Sequence, residues 1–92
     1  MTARGKLKQE LLQLRIQSGL TQDDVAKALK YSTGQFISNW ERGISAPPVQ
    51  NIRQLARLYN SNAEALFNLV LAAAIESSKE SLTKRFKESF NR

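Results

Sequence analysis

Apolar residues return at three- and four-residue steps along most of the chain. Leu7, Leu11 and Leu14, with Leu12 and Ile16 beside them, predict an amphipathic helix over 6–18 that Gly19 ends, and Leu20 reads as core. Thr21 is a good N-cap for a second helix. Asp23 and Asp24 fall in its first turn, where the helix dipole favours negative charge, so the pair needs no catalytic or metal-binding explanation. Val25 and Leu29 lie one turn apart facing inward, and small Ala26 permits close approach of another helix. Lys30, Tyr31 and Ser32 make a turn. Ser32-Thr33-Gly34-Gln35 has the form of a capping box, and the third helix runs to Arg42, where Gly43 stops it. On this helix Ile37 and Trp40 share the inner face, while Ser38, Asn39 and Arg42 look outward.

Residues 44–48 form a loop stiffened by two prolines, with Pro48 suited to the first turn of a fourth helix. Val49, Ile52, Leu55, Ala56 and Tyr59 give that helix its period, and Asn60 can end it in a left-handed conformation. Ser61-Asn62-Ala63-Glu64 reads as a second capping box. Behind it the helical pattern continues to about Phe90 without glycine or proline, a length of roughly 40 Å. Its first half carries Leu66, Phe67, Leu69, Val70, Leu71 and Ile75 among alanines; its second half is polar except for the stripe Ile75, Leu82, Phe86 and Phe90. The expected fold is all-α, with five helices, no strand signal and no repeat.

Ninety-two residues suit one small domain, able to bury about 60–65% of its unfolded surface. The absence of cysteine and histidine removes disulfides, thiolate metal sites and the commonest general base, and fits a reducing cytoplasm. The most apolar run, residues 66–75, is too short for a membrane span, which needs about 20 residues. Serine and threonine have no histidine to activate them, the carboxylates are scattered and there is no glycine-rich phosphate loop, so no enzyme, cofactor or metal is expected.

Fourteen Lys and Arg against eight Asp and Glu leave a net charge of +6, which favours a polyanionic partner. The excess is uneven. Residues 1–20 carry Arg4, Lys6, Lys8 and Arg15 against Glu10, whereas residues 21–48 balance Lys27, Lys30 and Arg42 with Asp23, Asp24 and Glu41. A neutral centre with basic flanks suits a reader of base edges whose surroundings hold phosphates.

Leu20-Thr21-Gln22, Ala26, Leu29, Ile37-Ser38 and Glu41-Arg42-Gly43, followed by the prolines, resemble the XRE family, the helix-turn-helix DNA-binding domains of the lambda repressor and Cro type, over roughly residues 7–66. The resemblance implies a compact lambda-repressor-like five-helix domain whose third helix enters the major groove of double-stranded DNA. It implies Gln22 against a phosphate and a buried salt bridge between Arg15 and Glu41. Two departures stand out: Lys30 occupies a turn position often held by glycine, and the segment from Leu29 to Ile37 is one residue longer than usual. Anchored on Ile37 and Trp40, the base-reading positions fall at Gly34, Gln35 and Asn39, with Thr33 at the edge; anchored on Ser32, the first two shift by one.

Gln and Asn each offer a donor and an acceptor, matching the N6 and N7 edge of adenine. Gln35 and Asn39, four apart, share a helical face. The competing role for Gln35 is to close the capping box. Phe36 is expected to pack on Trp40, and Gly34 to allow close approach to the DNA backbone. Phosphate contacts are expected from Thr21, Gln22, Lys30, Ser38 and Arg42, and from an N-terminal arm carrying Arg4, Lys6 and Lys8. On this reading residues 1–66 form the DNA-binding domain. Residues 67–92 form a helical extension that dimerises through Leu71, Ile75, Leu82, Phe86 and Phe90. The expected function is a cytoplasmic, homodimeric transcriptional regulator, a repressor on a palindromic operator. The rival is an antitoxin or similar module whose C-terminal helix binds a partner protein.

Overall fold

The computed structural model describes residues 2–91. Five α-helices follow one another: α1 (Ala3–Gln17), α2 (Gln22–Ala28), α3 (Gln35–Glu41), α4 (Val49–Leu58) and α5 (Ala63–Glu88), with a 3₁₀ turn at Ser89–Asn91. The architecture is all-helical among the described residues, as the periodicity predicts.

The first four helices end alike. Gly19, Lys30, Gly43 and Asn60 take φ values of +71°, +65°, +77° and +51°. After each, a backbone N–H reaches back five residues, from Leu20 to Arg15, Tyr31 to Ala26, Ile44 to Asn39 and Ser61 to Ala56. These are Schellman closures, which satisfy carbonyls orphaned at a helix end and reverse the chain. Glycine adopts this conformation without steric cost. Lys30 and Asn60 adopt it at some cost that the closing hydrogen bonds and packing offset.

Helix starts are more varied. Thr21 caps α2 with a complete box: its hydroxyl accepts from the Asp24 N–H at 3.0 Å, and the Asp24 carboxylate accepts from the Thr21 N–H at 2.9 Å. The backbone N–H of Thr21 is the main cause holding the Asp24 carboxyl below its usual range. Three expected starts are corrected. Helix α1 begins at Ala3, because Thr2 accepts from the Gly5 N–H and the Glu76 carboxylate, 73 residues away, accepts from the Ala3 N–H at 2.7 Å. Helix α3 starts after Gly34 with no side-chain cap, so the box from Ser32 to Gln35 does not form. Asn62, not Ser61, caps α5 by accepting from the Ala65 N–H at 2.8 Å.

The core is built from one face of each helix: Leu7 and Leu11 of α1, Val25 and Ala26 of α2, Ile37 and Trp40 of α3, Ile52 and Leu55 of α4, and Leu66, Val70 and Ala73 of α5. Leu11, Ile37, Leu55 and Leu66 are almost wholly removed from water, which stabilises the fold by about 1.5–3 kcal/mol each. Several residues counted on for packing instead stay outside. Leu12, Ile16, Val49 and Phe67 are exposed, because the core lies on one side of α1, α4 and α5 only, and Leu71 and Ile75, expected at a contact between copies, are exposed as well. Tyr31 takes Phe36 as its stacking partner at 4.9 Å and meets Trp40 edge-on at 6.0 Å, so Phe36 packs on Tyr31 rather than on Trp40.

The split anticipated at residue 66 falls inside α5. Val70 and Ala73 belong to the core, and Glu76 and Glu80 are held by Arg4. The part of α5 that stands clear begins near Ser78, where every residue to Phe90 is exposed. This projection makes the molecule 51 Å long against 26 and 22 Å across.

Candidate nucleic-acid interface

The N-termini of α2 and α3 come together at Gly34. A Cβ built there would lie 2.8 Å from Asp23 Oδ1 and 3.2–3.3 Å from Gln22. The absent side chain therefore serves packing of α3 against α2. Lys30 goes left-handed and Tyr31 folds inward, where its hydroxyl donates to Asn51 Oδ1 at 2.6 Å, leaving α3 seven residues long.

From this start, Ile37, Trp40 and Glu41 face inward and Gln35, Ser38, Asn39 and Arg42 face out. Gln35 is exposed and Asn39 half-buried. Gln35 Nε2 donates to Asn39 Oδ1 at 2.9 Å, and Arg42 Nη2 donates to the same oxygen at 2.9 Å. The three side chains form one hydrogen-bonded row along the outer face. None of the described hydrogen bonds uses Gln35 Oε1 or Asn39 Nδ2, so the row retains an unused acceptor and an unused donor at its centre. Thr33 is exposed just ahead of it, its hydroxyl accepting from the Gln35 N–H at 3.2 Å.

Behind the row lies an ion pair. Arg15 Nε and Nη2 donate to Glu41 Oε2 and Oε1 at 2.6 and 3.0 Å, and Arg15 Nη1 donates to the Leu20 carbonyl at 2.9 Å. Gln22 Nε2 also donates to Glu41 Oε1, at 3.1 Å. One carboxylate thus ties α1, α2 and α3 together, and the guanidinium is pushed above its ordinary value chiefly by its hydrogen bond to Glu41. Tyr59, at the C-terminal cap of α4, is buried near the pair, its phenol raised well above the usual range by burial and then by the Glu41 charge. Gln22, expected at a phosphate, has its amide N–H₂ group engaged inside the protein.

The basic residues divide. Arg4, Lys8, Arg42 and Gly43 border one shallow depression, and Lys8 lies along Gly43, where an added Cβ would meet its Cδ at 3.1 Å. Arg4 and Lys8, one turn apart on α1, therefore join the end of α3. The described residues form no N-terminal arm. Arg4, Lys6 and Lys8 lie in α1, and Arg4 is engaged by Glu76 at 3.2 Å and by Glu80. Lys6, two positions from Lys8, sits on the other side of the helix and outside the cluster. Lys30 and Thr21 are exposed at the two ends of α2, and Ser38 is half-buried. Among the described residues no three carboxylates gather to hold a metal ion, and no helix is long and apolar enough to cross a membrane.

A helix-turn-helix family model matches residues 11–66. The chain belongs to this family, of the XRE type, whose members are DNA-binding domains of transcription regulators. Comparison with curated proteins and with solved structures gave no match.

Proposed function

We propose that the protein is a sequence-specific regulator that binds a palindromic operator as a homodimer and represses by occupancy. The observation that carries this reading is the outward row of Gln35, Asn39 and Arg42 on α3, backed by a buried ion pair that fixes its helix. In the major groove the unused donor and acceptor of the Gln35–Asn39 pair meet adenine N7 and N6, a contact that discriminates by about 1–3 kcal/mol. Thr33 reads at the edge. Thr21, Lys30, Ser38, Arg42 and Lys8 hold phosphates on either side, and Gln22 contributes by bracing Glu41 as well as by facing the backbone. A protein seated across a promoter blocks it without further chemistry, so repression asks least of a domain this small. Leu71, Ile75, Leu82, Phe86 and Phe90 supply the contact between copies, and residues 67–90 act as the extension that carries them.

The test is selection of bound duplexes from a random pool, followed by mobility shifts. An enriched two-fold symmetric site is expected, with half-sites about 34 Å apart. Asn39→Ala with Gln35→Ala is expected to reduce binding to the selected site at least about tenfold and leave non-specific binding nearly unchanged. No enrichment, or an unchanged selected site in that double variant, refutes the reading. Capture of a protein partner by α5 in place of a second copy would favour an antitoxin-like module.

A further inference from the structure

The outward side of α5 and of the 3₁₀ turn that follows it carries a pattern that the fold of one copy leaves unused. Phe67, Leu71, Ile75, Leu82, Phe86 and Phe90 are spaced four, four, seven, four and four residues apart. The order reads the same from either end, centred between Ser78 and Lys79. The inner four are 43, 59, 58 and 64% exposed. At about 100° per residue they fall within roughly 60° of one another and opposite Leu66, Val70 and Ala73, which face the core. Leu71 to Leu82 and Ile75 to Phe86 are both eleven-residue steps, a repeat of about 3.67 per turn that keeps such a line nearly straight.

Resting on the dimer reading above and adding its geometry, we propose that this face pairs antiparallel with its own copy about a two-fold axis between Ser78 and Lys79. Leu71 then meets the partner's Phe86, and Ile75 meets the partner's Leu82. Charge selects this direction. The first half of α5 carries Glu64 and Glu76 with no base, whereas the second carries Lys79, Lys84, Arg85 and Lys87 against Glu80 and Glu88. Glu76 is already held by Arg4 of its own copy, so the basic half sets the direction: a parallel pair lays these four cations beside their counterparts, and antiparallel pairing keeps the two basic halves apart. The area is sufficient: taking each large side chain at about 200 Å², the six residues expose roughly 1,300 Å² in two copies, within the range of specific interfaces. The hold of Arg4 on Glu76 and Glu80 fixes α5 to α1 at the point where it leaves the core, so the projecting half is presented as a rigid continuation.

The chain has no cysteine, so single cysteines report without background. Ser78→Cys and Phe90→Cys, both at exposed positions, are made separately in the full chain and treated with a thiol crosslinker of about 8 Å reach, matched to helix packing distance. The two copies of position 78 flank the axis, whereas the two copies of position 90 lie about 35 Å apart. Ser78→Cys is expected to give mainly covalent dimer and Phe90→Cys about tenfold less, with mixed Leu71→Cys and Phe86→Cys proteins crosslinking to each other. Efficient self-crosslinking of Phe90→Cys overturns the antiparallel register and leaves a dimer standing. A dimer by sedimentation in which Ser78→Cys does not crosslink overturns this interface alone. A monomer at every concentration overturns both the register and the dimer reading.

Discussion

Glu41→Gln removes one charge and little volume from the centre of the helix-turn-helix unit. The carboxylate it replaces accepts three hydrogen bonds, from Arg15 at 2.6 and 3.0 Å and from Gln22 at 3.1 Å. The side chains of Glu41 and Arg15 are 4% and 15% exposed, so the guanidinium left behind has little water to turn to. Removing one partner of a buried pair costs about 3–5 kcal/mol. The remaining access to Arg15 and the amide oxygen that glutamine retains place this loss lower, at about 2–3 kcal/mol. A domain of this size holds only about 5–14 kcal/mol in total, and each kcal/mol moves Tm by roughly 4–8 °C. Glu41→Gln is therefore expected to lower Tm by about 10–20 °C in thermal circular dichroism. The double replacement Arg15→Met with Glu41→Met leaves no unpaired charge and is expected to cost less than the sum of its singles by about 1.5 kcal/mol or more. A single variant within about 2 °C of the parent, or an additive double, refutes the account of one carboxylate joining three helices.

Gly34→Ala forces α3 away from Gln22 and Asp23, and is expected to lower stability by about 1–2 kcal/mol and weaken DNA binding beyond that loss; unchanged stability and affinity would count against the close helix contact. Tyr31→Phe leaves buried Asn51 Oδ1 without its 2.6 Å donor, for an expected loss of about 1–2 kcal/mol in a urea titration. Glu76 is held below the ordinary carboxyl value of 4.5, first by the Ala3 N–H and then by Arg4. A depressed folded value means stability present above 4.5 and lost as pH falls through the lower folded value. The Tm difference between the parent and Glu76→Gln is expected to be steady near neutral pH and to shrink in acid; a difference that persists unchanged into strong acid would remove the charge from the explanation.

The outer face of α3 was largely readable in the sequence, because Ile37 and Trp40 set the inward direction and the intervening residues follow from 3.6 residues per turn. What Gln35 does there was open, since glutamine three residues after a serine also satisfies a capping box. The geometry removes the cap: Gly34 packs against α2, the helix starts past Ser32, and the Gln35 amide reaches Asn39. The basic residues of α1 were visible as charges, but their division was not, because Glu76 and Glu80 lie more than 70 residues away along the chain.

Periodicity and caps alone determined the number of helices, their order and the inward faces of α2 and α3, since these depend on interactions within a few residues. Tertiary packing alone decided which apolar residues of α1, α4 and α5 stay dry, where α1 begins and which cations remain free. Those outcomes depend on which distant segment arrives opposite each face. Periodicity along a single helix says that a stripe exists; only a second surface, supplied by the fold or by another copy, decides what covers it.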